Sequence, residues 1–116
     1  MAFPATYNFN YYRGDSYEFV VYPKNANGTA FDLTSYNSNL FTVATARGSS
    51  GTLIGTGTVV TGSTSLTCKI TPALGDLMSA NNYVYDVQIN NTSASTKYTL
   101  LTGAITVVQD VTGRAV

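Results

Sequence analysis

Groups that titrate or bind metal are few in this chain. The acids are Asp15, Glu18, Asp32, Asp76, Asp86 and Asp110, each alone in its stretch, with one cysteine, Cys68, and no histidine. Without imidazole there is no Ser–His or Cys–His pair and no histidine-based metal site. Two carboxylates meeting in space would still serve acid–base chemistry, but no spacing here demands it. The expectation is a protein that is not an enzyme, with no catalytic, cofactor-binding or metal-binding residue. Cys68 alternates with Leu66 and Ile70, and so reads as a small buried apolar side chain rather than a nucleophile. A lone cysteine also excludes a disulfide within the chain.

Short motifs add little chemistry. Arg13-Gly14-Asp15 matches the integrin-type tripeptide, but it reads better as a turn in which Gly14 supplies positive φ and Asp15 caps the loop. Asn27-Gly28-Thr29, Asn90-Asn91-Thr92 and Asn91-Thr92-Ser93 fit the glycosylation sequon and are read as turn residues. The aromatic residues carry more. Tyr7, Phe9, Tyr11, Tyr12, Tyr17, Phe19 and Tyr22 fall within sixteen positions. One face of the two strands they define builds core. The other, with Tyr12, Val20 and Tyr22, is left for contact, since a ring offers large area at small entropic cost. The bland alternative is a wholly buried aromatic core with scattered surface rings.

Charged residues make up 10% of the chain and the formal net charge is zero. So little charge gives weak colloidal protection, which suits a protein partly covered by a partner. No basic patch for nucleic acid is present. Met1-Ala2-Phe3-Pro4 lacks the pattern of a signal peptide, and no apolar run reaches membrane-spanning length.

These residues must be positioned by strands. At 116 residues and 12.3 kDa the chain is expected to form one domain over 1–116, with short N- and C-terminal arms. Residues 5–12 alternate aromatics with Asn, and 16–22 form a second strand stopped by Pro23. Asn27-Gly28 marks a turn, and Phe31 and Leu33 anchor an extended corner. Further strands are read over 40–46, 52–61, 65–70, 83–89, 97–102 and 104–108. Gly55 and Gly57 suggest a bulge or close approach in the fourth strand, and Gly103 a break or bulge near the end. One short helical turn is predicted near 72–80, with Thr71 as N-cap and Pro72 at the first helical position. The expected core is Phe19, Val21, Leu40 or Phe41, Leu66, Ile70, Leu74, Leu77, Tyr85, Val87, Leu100 and Ile105.

Seven to eight short antiparallel strands with one helical corner predict an all-β, immunoglobulin-like β-sandwich. In such folds a Tyr at the start of the penultimate strand bonds back to upstream backbone. Tyr83 is the candidate for this tyrosine corner; the alternative is a half-buried aromatic with no such bond. Candidate partner contacts are Tyr12 and Tyr22 on the aromatic face, with Phe3, Val111 and Val116 in the terminal arms.

Several stretches occur in an ordered set. They are Gly14-Asp15 opening a strand, Gly28-Thr29 with Asp32-Leu33-Thr34 and Tyr36, Tyr83-Val84-Tyr85-Asp86, and Leu100-Leu101-Thr102-Gly103-Ala104-Ile105-Thr106-Val107. The set resembles the small immunoglobulin-like domains of tailed-bacteriophage structural proteins, as at the N-terminus of upper baseplate proteins. It is also similar to stand-alone virion proteins of marine and cyanobacterial phages. The resemblance implies a non-enzymatic structural subunit of a virion, made in the host cytoplasm and packed in a symmetric assembly on other virion proteins. These would be capsid proteins for a decoration or cement role, or tail and baseplate proteins for an accessory role. It implies no cofactor, no nucleic-acid partner and no membrane. The chain is expected to end where the domain ends, which would fit a stand-alone decoration subunit or small tail accessory at least as well as a baseplate member. The alternative function is an adhesin module of a phage tail, binding a host-surface glycan or protein. Fold alone does not separate these.

Overall fold

The structure, a computed structural model, describes residues 5–48, 51–79 and 81–108. Among them run β1 (Ala5–Thr6), β2 (Phe9–Tyr12), β3 (Tyr17–Val21), β4 (Leu40–Ala44), β5 (Leu53–Thr56), β6 (Thr58–Thr61), β7 (Leu66–Ile70), the helical turn α1 (Pro72–Gly75), β8 (Asn82–Asn91) and β9 (Thr96–Val108). One sheet has the order β1-β9-β8-β4-β5, with β2 also on β9; the other is β3-β7-β6. The chain is thus mostly β, in two sheets whose inner faces meet. Phe19 of β3 lies 5.4 Å from Phe41 of β4 and 6.0 Å from Tyr85 of β8, ring centre to ring centre.

Period-two alternation explains which side chains fill the space between the sheets. Leu66, Cys68 and Ile70 on β7, and Tyr83, Tyr85, Val87 and Ile89 on β8, are all buried. Phe31 and Leu33 are buried as well and hold the long β3–β4 connection onto the core. Thr71 caps α1 through its Oγ1, which accepts the Leu74 N–H at 3.3 Å, and Pro72 follows it.

Four expectations need correction. The strands are not all antiparallel, because β1 and β2 pair parallel with β9. Both keep one register, Ala5 opposite Leu101 and Phe9 opposite Ile105. They are one strand with a wrinkle at Tyr7–Asn8, where the Asn8 side chain accepts the Ala104 N–H at 2.9 Å. Arg13-Gly14-Asp15 therefore carries the chain from one sheet to the other instead of closing a hairpin, a distinction that alternation cannot express.

The stretch 52–61 is likewise two strands in different sheets. β5 pairs with β4 and β6 with β7, and the crossing falls at Gly57. A Cβ on Gly57 would stand 2.5 Å from both the Phe41 ring and the Lys69 carbonyl oxygen. Only glycine lets the chain pass that close between the sheets.

β9 neither breaks nor bulges at Gly103. It runs unbroken, and the irregularity lies where Val87 faces Leu101 and Gln88 faces Thr99, leaving Leu100 as the extra residue of a bulge. Gly103 serves close approach instead, since a Cβ there would lie 2.0 Å from the Tyr7 carbonyl oxygen.

The core differs at its margins. Leu77 is 62% exposed, while Met78 is fully buried. Leu74 and Leu77 would share a face only in a continuing α-helix. Here α1 ends at Gly75 and the next bonds are the tighter Leu77 N–H to Leu74 O and Met78 N–H to Gly75 O. Phe41 is buried and Leu40 exposed. Phe19 and Val21 are half-buried, packed against the core from the edge of their sheet.

Candidate interaction edge

The aromatic-rich strands lie together on one side of the molecule, where β1 and β2 border one sheet and β3 borders the other. The turn between them is held by Arg13. Its Nε donates to the Met78 carbonyl at 2.8 Å and an Nη to the Asp76 carbonyl at 2.9 Å, so it satisfies oxygens just beyond α1. Gly14 has φ +88°, and the Tyr11 hydroxyl donates to the Asp15 carbonyl at 2.6 Å. The guanidinium of the Arg-Gly-Asp tripeptide is thereby committed to the fold.

Inside this border the rings form a connected stack. Phe9 lies 4.6 Å from Tyr17 and 5.6 Å from Phe19, and Tyr7 lies 5.8 Å from Phe19. The Tyr85 hydroxyl donates to the Tyr7 carbonyl, tying the wrinkle to β8. The Tyr7 and Tyr17 hydroxyls are hydrogen-bonded to each other at 3.0 Å. Burial, and then the bond to Tyr7, push the Tyr17 phenol up to about 12.

Outside it, Tyr12 is 58% exposed, Tyr22 62% and Val20 43%. Tyr7, which alternation places with the core residues Phe9 and Tyr11, is 41% exposed. With Phe19, Val20, Val21, Tyr22 and Leu101 it lines a shallow cleft of about 340 Å³, and none of these lining side chains is charged. Nothing in the pattern of residues 5–12 marks Tyr7 as different. Its exposure follows from the edge position of β1 and from the uncovered flank of β3. Phe3, Val111 and Val116 lie outside the described residues.

The incomplete cover at β3 is plain by comparison within its own sheet. The inward residues of β7 are fully buried, whereas Tyr17, Phe19 and Val21 of β3 are only half-buried. Among the described residues β3 pairs with β7 alone. Among the described residues, its outer backbone groups therefore form an open edge.

Tyr83 sits away from this edge, at the start of β8. Its hydroxyl accepts the Ser79 backbone N–H at 2.9 Å and is 3.1 Å from the Ser79 hydroxyl. The bond runs back four residues upstream, closing the corner that follows α1.

Asp15 and Asp76 both lie near the Tyr11 hydroxyl and Arg13 at the turn, and the phenol of Tyr11 is raised chiefly by burial; the other titratable groups are dispersed. Asp86 pairs with Arg47 at 2.6 Å on a half-exposed outer face, and Arg47 also donates to the Gly103 carbonyl at 3.1 Å. The Thr34 backbone N–H donates to the Asp32 carboxylate at 3.0 Å and holds its pKa below the usual range. Burial pushes the Cys68 thiol up to about 12, so it stays protonated at neutral pH and is a poor nucleophile. Among the described residues no three His, Cys, Asp or Glu side chains converge to hold a metal ion, and no helix is long and apolar enough to cross a membrane. No protein-family model matches the chain, and no curated protein matches it either.

Proposed function

We propose that this chain is an immunoglobulin-like, non-enzymatic structural subunit of a bacteriophage virion, packing on neighbouring virion proteins through its β1–β3 side. The observation that carries the packing role is the edge itself. Exposed Tyr7, Tyr12, Val20 and Tyr22 flank a half-covered aromatic stack on a chain of zero net charge. Tyrosine-rich, charge-poor surface is the composition of contact areas. The immunoglobulin-like reading is supported by three features: β2 running parallel to β9, the two sheets β2-β9-β8-β4-β5 and β3-β7-β6, and the bond from Tyr83 back to Ser79. The virion assignment is supported by the ordered motifs, and capsid decoration and tail or baseplate accessory roles both fit it.

The test is particle composition. Virions purified from infected cells, weighed by quantitative mass spectrometry and imaged by electron cryomicroscopy, are expected to hold the protein at fixed stoichiometry, with Tyr12 and Tyr22 against a neighbouring chain. Its absence from purified particles overturns the proposal. Presence at an outermost tip, with binding of host envelope material by the isolated domain, replaces it with the adhesin reading.

A further inference from the structure

The open edge of β3 has unusual composition for an edge strand. Edges are normally blunted by Lys, Pro, a bulge or very short length. β3 is Tyr17-Glu18-Phe19-Val20-Val21, with five residues in regular register on β7 and Glu18 as its one charge. Every other residue in it is aromatic or β-branched, the types that fit a pleated surface best. The opposite edge of the same sheet, β6, is Thr58-Val59-Val60-Thr61 and carries no ring.

We propose that two copies of this chain pair through β3, antiparallel about a two-fold axis at Val20. The result is one six-stranded sheet, β6-β7-β3 continuing into β3-β7-β6 of the second copy. This deepens the reading of this side as a covered surface, and it does not depend on the virion assignment. An isologous contact needs a self-complementary patch, and β3 supplies one. Centred on Val20, Val20 meets its own symmetry mate, Phe19 meets Val21, and Glu18 meets Tyr22. A centre at Glu18 would oppose two carboxylates and is disfavoured. The zero net charge of the chain leaves no long-range repulsion between copies.

Area sets the strength. Taking roughly 200 Å² for a tyrosine side chain, the exposed fractions of Tyr7 (41%) and Tyr22 (62%) offer about 200 Å² per copy. Val20, the uncovered parts of Tyr17, Phe19 and Val21, and the strand backbone add to this. Specific interfaces start near ~500 Å² per partner. The pairing therefore stands at the weak end of specific interfaces.

A disulfide trap tests the register. Directly opposed residues of an antiparallel pair have Cα atoms about 4.5–5.5 Å apart, within disulfide reach. Val20→Cys should be captured as a covalent dimer under mild oxidation, read on non-reducing gels, because the two introduced thiols face each other. Glu18→Cys places its two thiols about 13 Å apart along the paired strands and should stay monomeric, as should Val60→Cys on the opposite edge. Buried Cys68 does not compete. The unsubstituted chain should approach twice its monomer mass in sedimentation equilibrium as concentration rises, and Val20→Asp, checked for fold by circular dichroism, should abolish this. Equal trapping at all three positions, no trapping at position 20 in a folded variant, or a monomer at every concentration overturns the proposal. So does a dimer seen only after deletion of Met1–Pro4, which would make the chain's own N-terminal segment the occupant of the edge. A trapped dimer from a protein absent from virions would sink the virion assignment alone.

Discussion

Removing the Tyr83 hydroxyl isolates one bond with a defined cost. It accepts the Ser79 backbone N–H at 2.9 Å and contacts the Ser79 hydroxyl at 3.1 Å, and the ring is only 6% exposed. Tyr83→Phe keeps the ring and its packing but leaves the part-buried Ser79 N–H without its acceptor. An unmade bond of this kind costs about 1–2 kcal/mol. For a domain of this size the unfolding entropy is near ~0.24 kcal/mol per kelvin, so the melting temperature should fall by about 4–8 °C. Tyr12→Phe is the control. Its ring is 58% exposed, and surface changes of this type stay within about ±0.5 kcal/mol. Both variants are to be measured by urea unfolding and by calorimetry, with Ser79→Ala and the double variant completing a cycle. The Ser79 hydroxyl should then account for a minority of the coupling, since the backbone bond survives Ser79→Ala. Equal losses at Tyr83 and Tyr12, or no loss at Tyr83, would refute the assignment of the hydroxyl to corner closure.

Two further outcomes are expected. Gly57→Ala should destabilise the fold by about 1–3 kcal/mol, the usual cost of overpacking, because the new methyl meets the Phe41 ring and the Lys69 carbonyl; an unchanged urea midpoint would show that the sheet crossing is not as tight as described. Stability should also fall at alkaline pH. The Cys68 thiol is raised from 9.0 to about 12 and the Tyr17 phenol from 10.0 to about 12, both chiefly by burial. A raised folded-state pKa stabilises fully below the unfolded value and is lost as pH rises through the folded one. The decline should therefore begin at about pH 9 and continue through about pH 12, with the Tyr85 phenol, raised still further by burial, carrying it higher; for Cys68 its full extent is on the order of 4 kcal/mol. Cys68→Val should flatten this slope between pH 9 and 10, before the tyrosines contribute; an unaltered slope there would show that the thiol does not report its burial.

Local pattern determined much of what is seen. Strict alternation over residues 83–89 and 65–70 identified which side chains of β8 and β7 enter the core, and all of the assigned positions there are buried. Thr71-Pro72 announced the helical turn and its cap, which depend only on neighbouring backbone. The exposed positions of Tyr12, Val20 and Tyr22 also followed from alternation, because successive side chains on a strand must point to opposite faces.

Partner choice was decided only in three dimensions. Alternation is the same whether a strand pairs parallel or antiparallel, so nothing in residues 5–12 told of β9 as the neighbour of β1 and β2. Gly55 and Gly57 signalled a bulge or a close approach, and both occur: Val43 faces Gly55 while Ala44 faces Leu53, and Gly57 passes close to Phe41 and Lys69; that the chain also changes sheets there depended on partners distant in sequence. Tyr7 shows the same limit from the side of function. Its spacing is that of Phe9 and Tyr11, yet it stands at a border where the second sheet has ended, and so it is half out in solvent. Periodicity reports the direction of a side chain, and burial depends on whether another element lies in that direction.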